Sequence, residues 1–234
     1  MKIPLRYQIS EYDCGPTSLL NAVSYLFERE EIQPELIRNI MLYSLDCYGK
    51  EGILGKNGTS RMAMMFLSGW LEGVGKAGIL PIESRYLSGT EVHLREGGAV
   101  TEALRRGGVA VVRLFMEGEH YVLFTGIEGG RVLLFDPYCM PPEYRFVLEC
   151  SDCDGCGLEN GASGIMTGTL SSMTAGIEST TEHPTEYNRI VPCACFDSEG
   201  KNPYALGNVK EREAVLVFNK RTKLTAERTI EYFI

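Results

Sequence analysis

The sequence predicts an α+β fold, with an N-terminal helical part packed against an antiparallel β-sheet. Three observations carry this. Up to about residue 105, apolar residues recur at helical spacing. From residue 109 the spacing gives way to β-rich runs. Those runs are nearly continuous in apolar residues, so both faces of the sheet are expected to be covered. Helices first and strands later is the order of an α+β chain. With 234 residues, 44% apolar and 23% charged, the composition is that of a globular protein able to build its core without disulfides. The whole chain, 1–234, reads as one domain.

In chain order, residues 16–28 form the first expected helix, with Leu19, Leu20, Val23, Leu26 and Phe27 at the i, i+4, i+7, i+8 spacing and Pro16 in the first turn. "PELIRNIMLYSLDCY" places Leu36, Ile37, Ile40, Met41 and Leu45 on one stripe. "TSRMAMMFLSGWLEG" starts at a Thr59 or Ser60 cap, with Met62, Met65, Phe66 and Trp70 expected inward. "GAVTEALRRGG" is a short helix closed by Gly107-Gly108. The strands are "VAVVRLFM", "HYVLFTGI", "RVLLFDP", "YRFVLE" and "EAVLVFNK". Residues 151–185, rich in Gly, Ser and Thr with cysteines at their head, read as an insertion or mobile loop.

The net charge of −8 and the lack of a dense Lys/Arg cluster argue against a nucleic-acid partner. No apolar run approaches the roughly 20 residues of a membrane span. "MKIPLRYQIS" lacks the apolar stretch of a secretory signal, so the expected location is the cytoplasm, where the eight cysteines would be mostly reduced.

One stretch carries chemistry: "QISEYDCGPTSLLNAVSYLF", residues 8–27. Cys14 stands at a helix start, where the macrodipole and unpaired N–H groups favour a thiolate. A buried structural cysteine is the alternative, since free Cys packs as a small hydrophobe. A nucleophilic thiol needs a base, and the chain has three histidines. His93 and His183 lie in polar loop stretches, whereas His120 opens an apolar strand, and Asp136 ends the next one. Strand geometry tests that pairing. If Glu128-Gly129-Gly130 is a three-residue loop, Ile127 pairs with Arg131 and Val122 lies opposite Asp136. His120 is then two residues along on the same face, roughly 7–8 Å away on the diagonal. A two-residue Gly-Gly turn shifts the register by one and sends Asp136 to the other face. The pairing therefore predicts an odd-length loop or a bulge. Gln8 and the Cys14 backbone N–H are candidate donors to a developing oxyanion.

The pattern Q-x5-C-G before a helix, then H-Y-V-L, then V-L-L-F-D-P, resembles the papain-like cysteine peptidases, and most closely the bacteriocin-processing, double-glycine leader peptidases. The match covers residues 5–30 and 105–138. The resemblance implies a papain-like fold and hydrolysis of a peptide or amide bond in a peptide or protein substrate. It gives Cys14 as nucleophile, His120 as acid and base, Asp136 as its orienter and Gln8 at the oxyanion hole, with no cofactor needed for catalysis. Neither the 151–185 stretch nor any membrane segment or nucleotide-binding motif extends the likeness. The same thiol and base would serve a papain-like acyltransferase. A non-catalytic peptide-binding module is a third reading, although such a module would be expected to lose the nucleophile.

A second set of cysteines, Cys150, Cys153 and Cys156 at C-x2-C-x2-C spacing with Cys193 and Cys195 in "PCACF", is of the kind that builds a structural zinc site. Without a fourth cysteine and proline it departs from the bacterial iron–sulfur run.

Overall fold

The computed structural model describes residues 1–116, 118–139 and 177–224. Three helices come first: α1 (Cys14–Leu26), α2 (Pro34–Ser44) and α3 (Arg61–Lys76). Pro16 and Pro34 both sit in first turns, where a missing N–H leaves nothing unpaired. Ser60 caps α3, its hydroxyl accepting the Ala63 N–H at 3.1 Å. Then come β1 (Ile82–Ser88), α4 (Ala99–Arg105), β2 (Val109–Met116), β3 (Gly118–Glu128), β4 (Arg131–Phe135), β5 (Glu178–Ser179), β6 (Arg189–Pro192), the single turn α5 (Cys193–Phe196) and β7 (Glu213–Asn219). The described strands form one seven-stranded sheet in the order β1-β7-β2-β3-β4-β6-β5, antiparallel at every pairing.

Both faces are covered. On one, Val109, Val111, Tyr121, Leu123, Phe135, Val215 and Val217 pack against Leu19, Val23, Leu36, Ile40, Met64, Leu67 and Leu71 of α1–α3. On the other, Ala110, Val112, Val122, Phe124, Leu134 and Leu216 pack against α4, Phe196, Tyr204 and Leu206. The alternation of odd and even positions between the two cores is the two-residue period of a pleated strand.

Two helical faces differ from expectation. In α3 the buried stripe is Ala63, Met64, Leu67, Leu71 and Val74. Met62 (65% exposed), Met65 and Phe66 point outward, and Trp70 is only partly covered. The helix is apolar on most sides, so counting apolar residues leaves its rotation open by one position. In α2, Leu36 and Ile40 are buried while Ile37 and Met41 are exposed, for the same reason. Strands β1, β5 and β6 add to those expected. "YRFVLE" and most of 151–185 lie outside the described residues. The end of that stretch joins the sheet, with β5 pairing β6 and Leu5 N–H reaching the Pro184 carbonyl at 2.7 Å.

The β3–β4 hairpin closes through Gly129-Gly130, with Glu128 opposite Arg131 and φ values of +54° and +76° that favour glycine. That is the two-residue turn. The register nevertheless changes between Phe124 and Gly126, where Thr125 is the extra residue of a β-bulge. Beyond it Phe124 pairs with Leu134 and Leu123 with Phe135, so the next step sets Val122 opposite Asp136. The bulge restores what the even turn removes.

Candidate active site

The first residue of α1, the start of β3 and the end of β4 meet at one end of the sheet. Cys14 is brought there by its helix. Ser18, one turn along the same face, donates to the Tyr121 carbonyl at 3.0 Å, fixing α1 against the residue that follows His120. Gly15 lets α1 come close to the chain entering α3: a Cβ there would stand 2.5 Å from Thr59 Oγ1 and 3.3 Å from Met64 Cε. The Cys-Gly pair thus couples a thiol side chain to a tight backbone approach.

Asp13 holds the turn that delivers Cys14. Its carboxylate accepts the N–H groups of Ile9 (3.0 Å) and Ser10 (2.6 Å) and the hydroxyls of Ser10 and Thr17 (3.2 Å). Burial alone would raise its pKa; these donors reverse the direction and hold it below the ordinary carboxylate value. An Asp immediately before a helix was a readable N-cap signal, although this carboxylate bonds mainly back to the turn rather than to the helix.

His120 is bonded twice. Its Nε2 lies 2.8 Å from Asp136 Oδ1. A second side-chain hydrogen bond joins the ring to Cys14. Burial works against a charged ring. The adjacent Asp136 carboxylate and the Cys14 sulfur outweigh it and push His120 up to about 10 from 6.5. Cys14 keeps 8% and His120 7% of its surface exposed, so the pair is nearly enclosed.

Asp136 is fully buried and densely bonded. Besides His120, its Oδ1 accepts the Tyr138 N–H at 2.9 Å, and Oδ2 accepts the Tyr204 hydroxyl at 3.1 Å. Burial opposes its ionisation, but His120, the Tyr138 N–H and Arg189 together hold its pKa below the usual value. Asn188 grips its backbone twice: the Asp136 N–H donates to Asn188 Oδ1, and Asn188 Nδ2 donates to the Asp136 carbonyl, each at 2.8 Å. Sequence reasoning missed Asn188, Arg189 and Tyr204. They lie 52 to 68 residues from Asp136 in chain segments with no local signal.

Gln8 arrives through its backbone, its N–H donating to the Pro137 carbonyl at 2.8 Å. Its amide Nε2 donates to the Ser10 carbonyl at 2.7 Å, within the turn leading to Cys14, while Oε1 is buried with no hydrogen bond among the described residues. A carboxamide carries two N–H donors, so one remains beyond the Ser10 bond. The described contacts therefore bring together Cys14, His120 and Asp136 and place Gln8 beside them. They leave out His93, whose Nδ1 accepts the Arg95 N–H, and His183, stacked on Tyr187 at 4.5 Å.

Of the second cysteine set, Cys150, Cys153 and Cys156 lie outside the described residues. Cys193 and Cys195 are half-buried on α5 against the core, and burial raises both thiols. Among the described residues no group of three or more His, Cys, Asp and Glu side chains is gathered as a metal site, and no helix is long and apolar enough to cross a membrane.

Chemically, the arrangement couples a thiol at a helix N-terminus, an imidazole and a buried carboxylate in one hydrogen-bonded line. No protein-family model matches the chain, and no curated protein matches it.

Proposed function

We propose that the chain is a papain-like cysteine peptidase or amide hydrolase, with a peptide or protein as substrate. The observation that carries this reading is one histidine, His120, hydrogen-bonded both to Asp136 and to Cys14. A structural cysteine would need neither partner.

In the proposed reaction the Cys14 thiolate attacks the scissile carbonyl, forming a C–S bond and an oxyanion. The Cys14 N–H, one of the unpaired donors of a helix start, and the second N–H of Gln8 stabilise that oxyanion. The His120 imidazolium gives its proton to the departing amine as the C–N bond breaks, leaving a thioester and a neutral ring. Asp136 stays ionised and holds the ring orientation. Water, giving a proton to His120, then cleaves the thioester to release the acid and restore the thiolate–imidazolium pair. An amine in place of water would make the same intermediate a transferase product.

Iodoacetamide at low dose and pH 5 provides the test. Wild type is expected to be alkylated at Cys14 and Cys14→Ala to lose that fast labelling, with a peptide library then defining the cleaved bond. Equal fast labelling of wild type and Cys14→Ala overturns the assignment.

A further inference from the structure

Asp136 has two carboxylate oxygens, and only one faces the histidine. The other, Oδ2, receives the hydroxyl of Tyr204 at 3.1 Å. Tyr204 is completely buried, packs edge-on to Phe196, and is the one non-glycine residue with positive φ among the described residues, at +64°. A tyrosine in the left-handed region is strained and persists only where its surroundings over-determine it. Here they do. The Tyr204 N–H donates to the Phe115 carbonyl at 2.8 Å, and the Ala205 carbonyl accepts the Phe115 N–H at 3.0 Å. The kinked residue is thereby locked to β2, whose Leu114 pairs with His120.

Arg189 sets the direction of the tyrosine's proton. Its side chain hydrogen-bonds the Tyr204 hydroxyl. A guanidinium only donates, so the Tyr204 oxygen accepts from Arg189, and its single proton is directed to Asp136 Oδ2. Arg189 is itself 7% exposed and also donates to the Asn188 carbonyl at 2.8 Å. The result is a one-way chain from Arg189 through Tyr204 to Asp136.

We propose that Tyr204 is a positioning residue for the Cys14–His120 pair: driven by Arg189, its hydroxyl holds Asp136 Oδ2 so that Oδ1 keeps its angle to His120 in both charge states of the ring. This rests on the hydrolase reading above. During turnover the Oδ1 bond alternates between an ion pair with the imidazolium and a hydrogen bond from the neutral ring. The Oδ2 bond does not depend on the ring and keeps the carboxylate ionised and fixed throughout. The groups facing Asp136 are His120 from β3, with Cys14 behind it, Arg189 from β6, Tyr204 and Asn188 from the flanking chain, and the N–H of Tyr138, whose ring stands edge-on to His120.

Tyr204→Phe removes one oxygen and keeps the buried ring. Two measurements follow on wild type, Tyr204→Phe and a Cys14→Ala control. The first is the rate of Cys14 alkylation by iodoacetamide against pH. Losing a donor makes Asp136 protonate at higher pH, so the acid limb should move up by about one unit, roughly a tenfold loss of rate on that limb. The second is NMR exchange of the proton between His120 and Asp136, expected to be faster in Tyr204→Phe. An unmoved acid limb together with unchanged exchange overturns the proposal, because a tyrosine that only fills space would leave both as they are. Failure of the hydrolase reading looks different: wild-type Cys14 shows no enhanced alkylation at all, and the exchange measurement still judges Tyr204.

Discussion

Two buried carboxylates sit on this sheet, and the contrast between their partners shows why the proposed chemistry falls to one of them. Glu213, at the start of β7, is 2% exposed. It accepts the Tyr121 hydroxyl at 2.6 Å and the Tyr86 hydroxyl at 2.7 Å, with Arg113 at 3.4 Å and Arg61 at 3.7 Å. Arg113 also pairs with Glu119. Asp136 is bonded as densely, with a tyrosine and an arginine close by, but its nearest cation is an imidazole that passes its second hydrogen bond to a thiol. Arginine cannot give up its proton in a protein; histidine can. The first cluster therefore pins β1, β2, β3 and β7 together, and the second is the one that, on the proposed reading, carries a proton. They lie one residue apart, Tyr121 serving Glu213 and His120 serving Asp136.

The largest break in this comparison is expected on removing the carboxylate that bonds His120. Asp136→Ala leaves His120 without its orienting partner, and turnover of a peptide found by library screening should fall by 10²–10⁴-fold, on the order of a general acid–base contribution. An Asp136→Ala protein within a few-fold of wild type would remove Asp136 from the proposed mechanism. Glu213→Ala should show the opposite profile. It strands the buried Tyr121 hydroxyl and weakens the pairing of Arg113, costing about 1–3 kcal/mol, read as a lower urea midpoint. Alkylation of Cys14 in the still-folded protein should stay within a few-fold of wild type. Loss of alkylation without loss of stability would mean the two clusters work as one.

The pH behaviour sharpens the same contrast. His120 is raised to about 10 from 6.5, so its charge-linked stabilisation is complete below pH 6.5 and is lost as the pH rises through about 10. The stability margin of wild type over His120→Gln should therefore shrink across that window, read as thermal midpoints at successive pH values. In Cys14→Ala, His120 loses one of the partners that raise it, and an NMR titration should find its pKa below the wild-type value. An unchanged titration would separate the sulfur from the ring.

The two ends of the site differ in how well the sequence announces them. Cys14 stands at a helix start marked by Pro16 and the apolar spacing that follows, and His120 and Asp136 lie on adjacent apolar strands, so all three follow from local pattern. The two-sided sheet follows from strands such as "VAVVRLFM" that are apolar at odd and even positions alike. The cradle around Asp136 does not. Tyr204 belongs to irregular chain, and its left-handed backbone is imposed by β2 and Phe115 rather than by turn chemistry. β1, "IESRYLS", is masked by its polar residues, which are explained only by the Glu213 cluster that Tyr86 joins and by Ser84, which bonds Ser68 of α3 at 2.8 Å. In α3 the outward methionines hid the true inner stripe.

The hairpin joining His120 to Asp136 is where local pattern and long-range geometry disagreed. Gly129-Gly130 signals an even turn, which by itself would part the pair. Thr125 corrects the register, its hydroxyl donating to the Leu133 carbonyl at 3.2 Å and its own carbonyl accepting the Tyr25 hydroxyl of α1 at 3.4 Å. If the bulge rather than the turn sets the register at the site, straining the turn should leave the chemistry alone. Gly130→Ala tests this with the smallest effect expected. Its φ is +76°, and an added Cβ meets nothing within 4 Å, so the cost is backbone strain of about 1–2 kcal/mol with no new clash. The urea midpoint should drop accordingly while the rate and acid limb of Cys14 alkylation stay at wild-type values. A collapse of alkylation in a folded Gly130→Ala protein would move control of the His120–Asp136 register from Thr125 to the turn.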